Sequence, residues 1–227
     1  MGDVAANLAQ VRQRIESAAR AADRDPASIT LIAVSKYHPA EAVRAALAAG
    51  CHDLGESWAD EGVAKQGSVA DPSAVWHFIG PLQSNKTRAV AEHFDWVHSV
   101  DRLKIARRLS DQRPAELGPL PVCLQVNISG EASKSGADPA EAPELAAAMA
   151  ELPGLVLRGL MAIPALAAEP EAQRRPFAAL RELRDELNAG GLGLDTLSMG
   201  MSADLEAAIA EGATHVRVGT DIFGARE

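Results

Sequence analysis

Lys36 is the lysine of this sequence whose position best suits covalent chemistry. It follows the apolar run at residues 29–35, which is typical of a strand buried on both faces, so it falls at the carboxyl end of that strand. Partial burial there lowers the pKa of an amine, and a neutral amine can form a Schiff base with an aldehyde. A surface lysine whose ammonium stays in water is the alternative interpretation of this position.

Two glycine-containing turns, each following an apolar run, could bind a phosphate group. In the first turn, Gly200 permits close backbone approach, and Ser202 lies where a helix N-terminus would present free N–H groups. In the second turn, Gly219 and Thr220 supply unhindered backbone and a hydroxyl. Each turn alone also fits a simple turn glycine or helix cap. Their occurrence together, after the last two strand patterns, favours a phosphate site.

Arg217 is the third candidate group. It lies two residues before Gly219, so both residues face the same side of their strand, toward the interior. A buried arginine needs a partner, either a carboxylate or a ligand atom. A reactive lysine, a phosphate site and an inward arginine together suggest pyridoxal 5'-phosphate (PLP). Lys36 would hold its aldehyde, the two turns its phosphate, and Arg217 could face the pyridine nitrogen.

The elements that must position these groups alternate regularly between strand and helix patterns. After an amphipathic helix at residues 3–22, the sequence predicts eight strands, with a helix after each of the first seven. Ser84, Asp101 and Ser202 are predicted to cap three of these helices. Alternation of this kind indicates a parallel sheet with helices outside, and eight units indicate a closed TIM-type (β/α)8 barrel. The predicted strands lie at 29–35, 53–55, 75–79, 96–99, 121–128, 155–163, 194–199 and 215–218.

The length of 227 residues fits one barrel of this type, so residues 1–227 are predicted to form a single domain. Too few residues follow the eighth strand for a full covering helix. The extra helix at 3–22 could cover that face, which favours a monomer. A doubly wound open sheet is the alternative fold, but no glycine fingerprint follows the first strand.

Composition excludes several classes of protein. The net charge is −9 and no segment is strongly basic, which argues against nucleic-acid binding. No run of about 18 apolar residues is present, which argues against a membrane span. Cys51 and Cys123 are far apart, form no metal motif, and are predicted to be buried free thiols in a reducing compartment, the cytoplasm.

Other residues could also contact the cofactor. His77, between Trp76 and Phe78, could line the mouth of the barrel near the cofactor, although a position there favours a hydrogen-bonded core histidine. Met199 and Met201 flank Gly200 and could pack against a flat ring or simply fill the core. The sequence leaves open whether Lys65 or Lys134 forms a second cofactor site.

The sequence resembles the pyridoxal phosphate homeostasis proteins, relatives of the barrel domain of alanine racemase, over nearly its whole length. The resemblance implies a fold-type III PLP barrel, with Lys36 as the Schiff-base lysine, Ser202, Gly219 and Thr220 at the phosphate, and Arg217 at the ring nitrogen. The family commonly has Gly-Glu-Asn after its second strand; here Ser57 stands in the Asn place, so an amide contact is lost or replaced by a hydroxyl. The matching segments lie at 33–36, 76–86, 127–129, 158–164, 198–202, 216–220 and 222–224.

The resemblance implies a carrier or regulator of PLP (vitamin B6) without robust turnover, with apo PLP-dependent enzymes as possible recipients. A small PLP-dependent racemase and an aldolase-type barrel without PLP are the alternatives. Racemisation by two bases needs a second acid or base, which alanine racemase takes from a separate domain of the partner subunit. The one tyrosine here is Tyr37, next to the lysine. An arginine at the ring nitrogen also weakens the ring as an electron sink, because arginine keeps its charge.

Overall fold

The computed structural model describes residues 3–131, 135–165 and 167–224. Eight parallel strands close into a barrel in sequence order, and β1 pairs with both β2 and β8. This confirms the predicted TIM-type (β/α)8 barrel. The strands are β1 Thr30–Val34, β2 Asp53–Glu56, β3 Val75–Phe78, β4 Trp96–Val100, β5 Leu120–Gln125, β6 Leu155–Met161, β7 Thr196–Ser198 and β8 His215–Val218.

Helices surround the barrel, and their apolar sides pack on the outer face of the strands. In the described part of the chain, no helix is long and apolar enough to cross a membrane. The helices are α1 Val4–Ala21, α2 Ala40–Ala48, α3 Ala59–Val69, α4 Thr87–His93, α5 Leu103–Gln112, α6 Ala142–Ala150, α7 Pro170–Ala189, α8 Leu205–Ala210 and α9 Thr220–Phe223.

Helix α1 covers the face of the barrel next to β8, as the sequence predicts. Its buried residues recur at helical spacing, from Val4 to Ile15, and it contacts α2, α8 and α9. Asp3 caps its first turn by accepting a hydrogen bond from the Ala6 N–H at 3.0 Å. Arg14 pairs with Asp221 at 2.6 Å, which ties the helix to α9.

The predicted helix caps are wrong at three helices. The N-cap positions of α4, α5 and α8 fall on Lys86, Arg102 and Asp204, without side-chain capping bonds. At α5 the Asp101 carboxylate instead accepts a hydrogen bond from Arg102 at 2.6 Å. The four-residue helix α9 was not predicted either.

Candidate cofactor site

A cavity of about 260 Å³ opens at the carboxyl ends of the strands. Parallel strands bring the residues that follow them to one end of a barrel, so positions distant in sequence converge here. Most of the residues predicted to contact the cofactor line this cavity, namely Lys36, Ser57, Met201, Ser202, Arg217, Gly219 and Thr220. Val34, His38, Ile79, Ile163, Ala203 and Gly224 complete its described lining.

The backbone on both sides of Lys36 is held by polar side chains. The buried Ser35 donates its hydroxyl hydrogen to Glu56 Oε1 at 2.6 Å. The Tyr37 N–H donates to Glu61 Oε1 at 2.5 Å. Tyr37 has φ +67°, a left-handed conformation that is unfavourable for a bulky residue. These bonds fix the end of β1, and with it the start of the Lys36 side chain.

Lys65 completes this arrangement from α3. Its side chain is 6% exposed, and Nζ donates to the Ser35 carbonyl at 2.7 Å, to Glu56 Oε1 at 2.6 Å and to Glu61 Oε1 at 3.0 Å. The three N–H donors of an ammonium are thereby used. We call Lys65, Glu56 and Glu61 the lysine clamp. Lys65 is thus a buried structural cation here, and Lys134, the other lysine considered for a second cofactor site, lies outside the described residues.

The clamp carries one polar atom without a partner. Glu56 Oε2 is buried and accepts no hydrogen bond from the described residues. Burial raises the pKa of Glu56, while the bonds from Lys65 and Ser35 act in the opposite direction. The spacing of Glu61 and Lys65, four residues apart on one helix, was the available sequence signal, but such pairs usually lie on exposed helix faces.

Ser202, Gly219 and Thr220 line one side of the cavity, as predicted for phosphate contacts. The turn before α8 is fixed by Asp204, whose Oδ1 accepts a hydrogen bond from the Met201 N–H at 2.5 Å. Helix α9 begins at Thr220, directly after its N-cap Gly219. Two hydroxyl-bearing residues, Ser202 and Thr220, and the start of α9 therefore lie at the cavity, where an anion would be favoured.

Ser57 reaches the cavity because the chain after β3 passes very close to it. A Cβ atom added to Gly80 would lie 2.2 Å from the Ser57 carbonyl oxygen, so only glycine fits there. Ser57 lines the cavity at the position where the family commonly has an asparagine.

Arg217 projects from β8 into the barrel and is 3% exposed. Its Nη1 donates to Ser198 Oγ at 2.7 Å and its Nη2 donates to the Ala162 carbonyl at 3.0 Å. Burial lowers the pKa of Arg217 to about 10, so the guanidinium remains charged at neutral pH. The hydrogen-bond partners of this buried arginine are therefore the Ser198 hydroxyl and the Ala162 carbonyl. Arg217 also lines the cavity.

His77, Met199 and Gly200 were predicted as contacts but are not among the described lining residues. His77 lies in the barrel interior, with Nε2 at 3.0 Å from Asp53 Oδ1, which matches the core-histidine interpretation. Met199 is fully buried, so it fills the core. Gly200 has φ +92°, and a Cβ there would lie 2.5 Å from the Ala208 Cβ, so its role is to let the turn after β7 form.

The family model for the alanine racemase N-terminal domain matches residues 6–227. The pyridoxal phosphate homeostasis protein of Pseudomonas aeruginosa is 64% identical over 227 residues, covering 100% of this chain and 97% of that protein. The protein of the same name from Escherichia coli K12 is 56% identical, covering 100% of this chain and 98% of that protein. The chain therefore belongs to the alanine racemase N-terminal domain family and, within it, to the pyridoxal phosphate homeostasis proteins.

Solved structures agree with this assignment. The structure of PipY from Synechococcus elongatus with PLP bound is 41% identical, with a TM-score of 0.86, and covers 97% of this chain and 100% of that chain. Alanine racemase from Corynebacterium glutamicum shares the fold at 16% identity and a TM-score of 0.74. This chain corresponds to 60% of that longer enzyme.

Proposed function

We propose that this chain binds PLP in the cavity as a Schiff base on Lys36 and acts in PLP homeostasis as a carrier or regulator. One observation carries the proposal: residues that are distant in the sequence line one cavity of about 260 Å³, namely Lys36, Arg217, Ser202, Gly219 and Thr220. A small phosphorylated aldehyde needs an amine, an anion site and a partner for its ring nitrogen, and this lining offers each. The relatives named for PLP homeostasis support the same reading.

The residues present determine what the bound cofactor could do. PLP supplies an aldehyde and an aromatic ring that withdraws electrons best when its nitrogen is protonated. Arg217 is a donor that keeps its own proton at neutral pH, so it favours an unprotonated ring nitrogen. This weakens transamination and decarboxylation and favours storage and transfer of the cofactor.

A racemase-like activity is the second candidate, and His38 is the observation that favours it. Of the described lining residues, Lys36 and His38 carry the side chains that most commonly act as general acids or bases. Tyr37 is not a lining residue; its ring is exposed, and its hydroxyl accepts a hydrogen bond from Trp58 Nε1 at 2.8 Å. His38→Ala should therefore abolish any slow exchange of an amino acid's Cα hydrogen in heavy water, whereas Tyr37→Phe should leave it unchanged.

The absorption spectrum tests the cofactor proposal most directly. PLP added to the wild type should give the visible band of a Schiff base, and Lys36→Ala should weaken or remove it. Lys104→Ala, at an exposed lysine, is the matched control and should keep the band. A colourless wild type after incubation with PLP would overturn the proposal.

Transfer of PLP to another protein distinguishes a carrier from an enzyme. A PLP-loaded wild type should activate an apo PLP-dependent enzyme, while steady amino-acid turnover near about 10 per second, the usual enzyme median, would contradict the carrier role. Arg217→Glu should weaken PLP retention or shift the spectrum.

We extend the proposal to the state of the molecule in the cell. The chain would form a single domain over residues 1–227 and act as a cytoplasmic monomer, without nucleic-acid or membrane partners. Helix α1 supports the monomer, because it covers the face beside β8. Cys51 and Cys123 are both free and buried, as suits a reducing compartment. Burial raises the pKa of Cys51 to about 11 and of Cys123 to about 12, so neither thiol is a nucleophile at neutral pH. Light scattering during size-exclusion chromatography should give the monomer mass.

A further inference from the structure

A continuous line of hydrogen-bonded side chains crosses the barrel interior behind Arg217. Arg217 Nη1 lies 2.7 Å from Ser198 Oγ, which lies 2.7 Å from His98 Nδ1. His98 Nε2 lies 2.9 Å from His77 Nδ1, and His77 Nε2 lies 3.0 Å from Asp53 Oδ1. We call these five residues the interior chain. It begins at the cofactor cavity and ends at Asp53, which lines a second cavity of about 500 Å³ at the amino-terminal end of the barrel.

The two ends of the interior chain fix the direction of its hydrogen bonds. An arginine has only donors and a carboxylate only acceptors, so Ser198 Oγ accepts from Arg217 and Asp53 accepts from His77. With neutral imidazoles, Ser198 then donates to His98, and His98 donates to His77. Each histidine therefore carries its proton on Nε2. The opposite direction requires a doubly protonated His77, which would bring a second positive charge into the interior behind Arg217.

His98 is well placed to remain neutral. It is fully buried, and His77, His215 and Arg217 face it. Burial and these three neighbours hold the pKa of His98 well below its usual range. Its Nδ1 is thus available as an acceptor for Ser198 throughout the neutral pH range, and the hydroxyl keeps its lone pairs directed at Arg217.

We infer that His98 is a positioning residue, which acts through Ser198 to hold the Arg217 guanidinium against the ring nitrogen of a PLP-type ligand. The geometry supports this because Arg217 has no carboxylate partner among the described ion pairs, and Ser198 and the Ala162 carbonyl accept its described hydrogen bonds. Asp204 acts on Arg217 through its charge and not through a described hydrogen bond. His77 and Asp53 contribute by fixing the tautomer of His98. The inference rests on the proposed function, since it needs PLP in the cavity.

The first experiment needs no cofactor. Nitrogen NMR of the wild-type protein, labelled with ¹⁵N in its histidines and free of PLP, reports which ring nitrogen is protonated. We expect His98 and His77 as neutral imidazoles protonated on Nε2, and we expect Ser198→Ala to shift the Nδ1 resonance of His98. A His98 protonated on Nδ1, or a doubly protonated His77, would overturn the proposed direction of the chain.

The second experiment uses PLP labelled with ¹⁵N in its ring, bound to the wild type and to variants. His98→Leu and Ser198→Ala should move the ring-nitrogen resonance away from its wild-type position and weaken PLP retention by about tenfold, the value of one lost hydrogen bond. His98→Gln keeps one acceptor and one donor, so it should restore most of both. His215→Leu is the matched control, because His215 packs beside His98 at 5.8 Å between ring centroids but bonds to Thr214.

The outcomes separate this inference from the proposed function. If the wild type forms no Schiff base, both are overturned. If it does, and His98→Leu keeps the wild-type resonance and retention, the positioning role alone is overturned. If His98→Leu does not fold, His98→Phe takes its place with the same two readouts and the same overturning result, and the ¹⁵N resonances of the wild-type histidines still test the direction of the chain.

Discussion

The lysine clamp and the interior chain solve the same physical problem, the burial of a cation, in opposite ways. The clamp surrounds Lys65 with the carboxylates of Glu56 and Glu61. Arg217 donates instead to the Ser198 hydroxyl of the interior chain and to the Ala162 carbonyl, and the carboxylate of the interior chain lies at its far end, on Asp53. Charge pairing neutralises the first cation where it stands, whereas dipoles stabilise the second and leave its charge available to the cavity.

This difference assigns different tasks to the two networks. The clamp bonds to the backbone on both sides of Lys36, so it fixes geometry without adding charge to the ligand site. The interior chain directs at the same site a cation that no described ion pair neutralises, although the charge of the buried Asp204 acts favourably on it. We therefore expect damage to the clamp to appear first in stability, and damage to the interior chain to appear first in the state of the ligand.

The largest expected effect is that of Lys65→Met. Removing the ammonium leaves Glu56 buried without its cation, which typically costs about 3–5 kcal/mol of the free energy of unfolding. Urea denaturation of the PLP-free protein measures this. Lys86→Met is the control, because the ion pair of Lys86 with Asp60 is exposed and should be worth about 0–1 kcal/mol. Equal losses for the two variants would show that the clamp does not depend on buried charge.

A smaller loss is expected from Arg217→Met. This variant also deletes a buried cation, but it breaks no described ion pair. Ser198 Oγ and the Ala162 carbonyl each lose a donor, and Asp204 loses a favourable charge. The expected cost is about 1–3 kcal/mol, below that of Lys65→Met under the same urea conditions. The comparison of the two networks fails if Arg217→Met is as destabilising as Lys65→Met.

The smallest expected effect is a pH dependence at Glu56. Burial raises its pKa, so the folded chain holds this proton more tightly than the unfolded chain does. The stability that Glu56 contributes is therefore full below its unfolded pKa and is lost as pH rises through the folded value. The free energy of unfolding of the wild type relative to Glu56→Gln should therefore fall as the pH rises from about 4, the ordinary pKa of a glutamate, through the folded pKa of Glu56.

The exposed Glu41, paired with Arg44, supplies the control for that measurement. Glu41→Gln should run parallel to the wild type over the same range of pH. A constant difference between the wild type and Glu56→Gln would show that the unpartnered Oε2 atom does not raise the affinity of Glu56 for a proton.

The sequence was sufficient to predict what depends on local pattern. The alternation of strands and helices predicted the barrel. The positions of Lys36, Arg217 and the Gly219–Thr220 turn at the cavity could be predicted because each follows or ends a recognisable strand. The ends of the helices α4, α5 and α8 were less predictable, since Asp101, for example, bonds to its neighbouring arginine instead of capping α5.

The two polar networks could not be predicted, and the reason is distance along the chain. His98 and Ser198 are 100 positions apart, and only barrel closure brings them into contact. Lys65 has the spacing of an ordinary exposed helix pair with Glu61; its burial depends on Ser35 and Glu56, which come from two other elements. The sequence allowed His77 to be a cofactor contact or a core histidine, because its neighbours in sequence do not reveal its hydrogen bond to Asp53.

The docking of α1 on α9 has a consequence for the order of folding. Asn7 donates a hydrogen bond to the Ile222 carbonyl across 215 positions, and β1 pairs with β8 over four registered residue pairs. A ribosome releases the first members of these contacts long before the last, so one edge of β1 and the apolar side of α1 must wait without their native neighbours. The contacts of β8 and α9 are the last that the chain can complete, and such long-range pairing slows folding and prolongs exposure to aggregation.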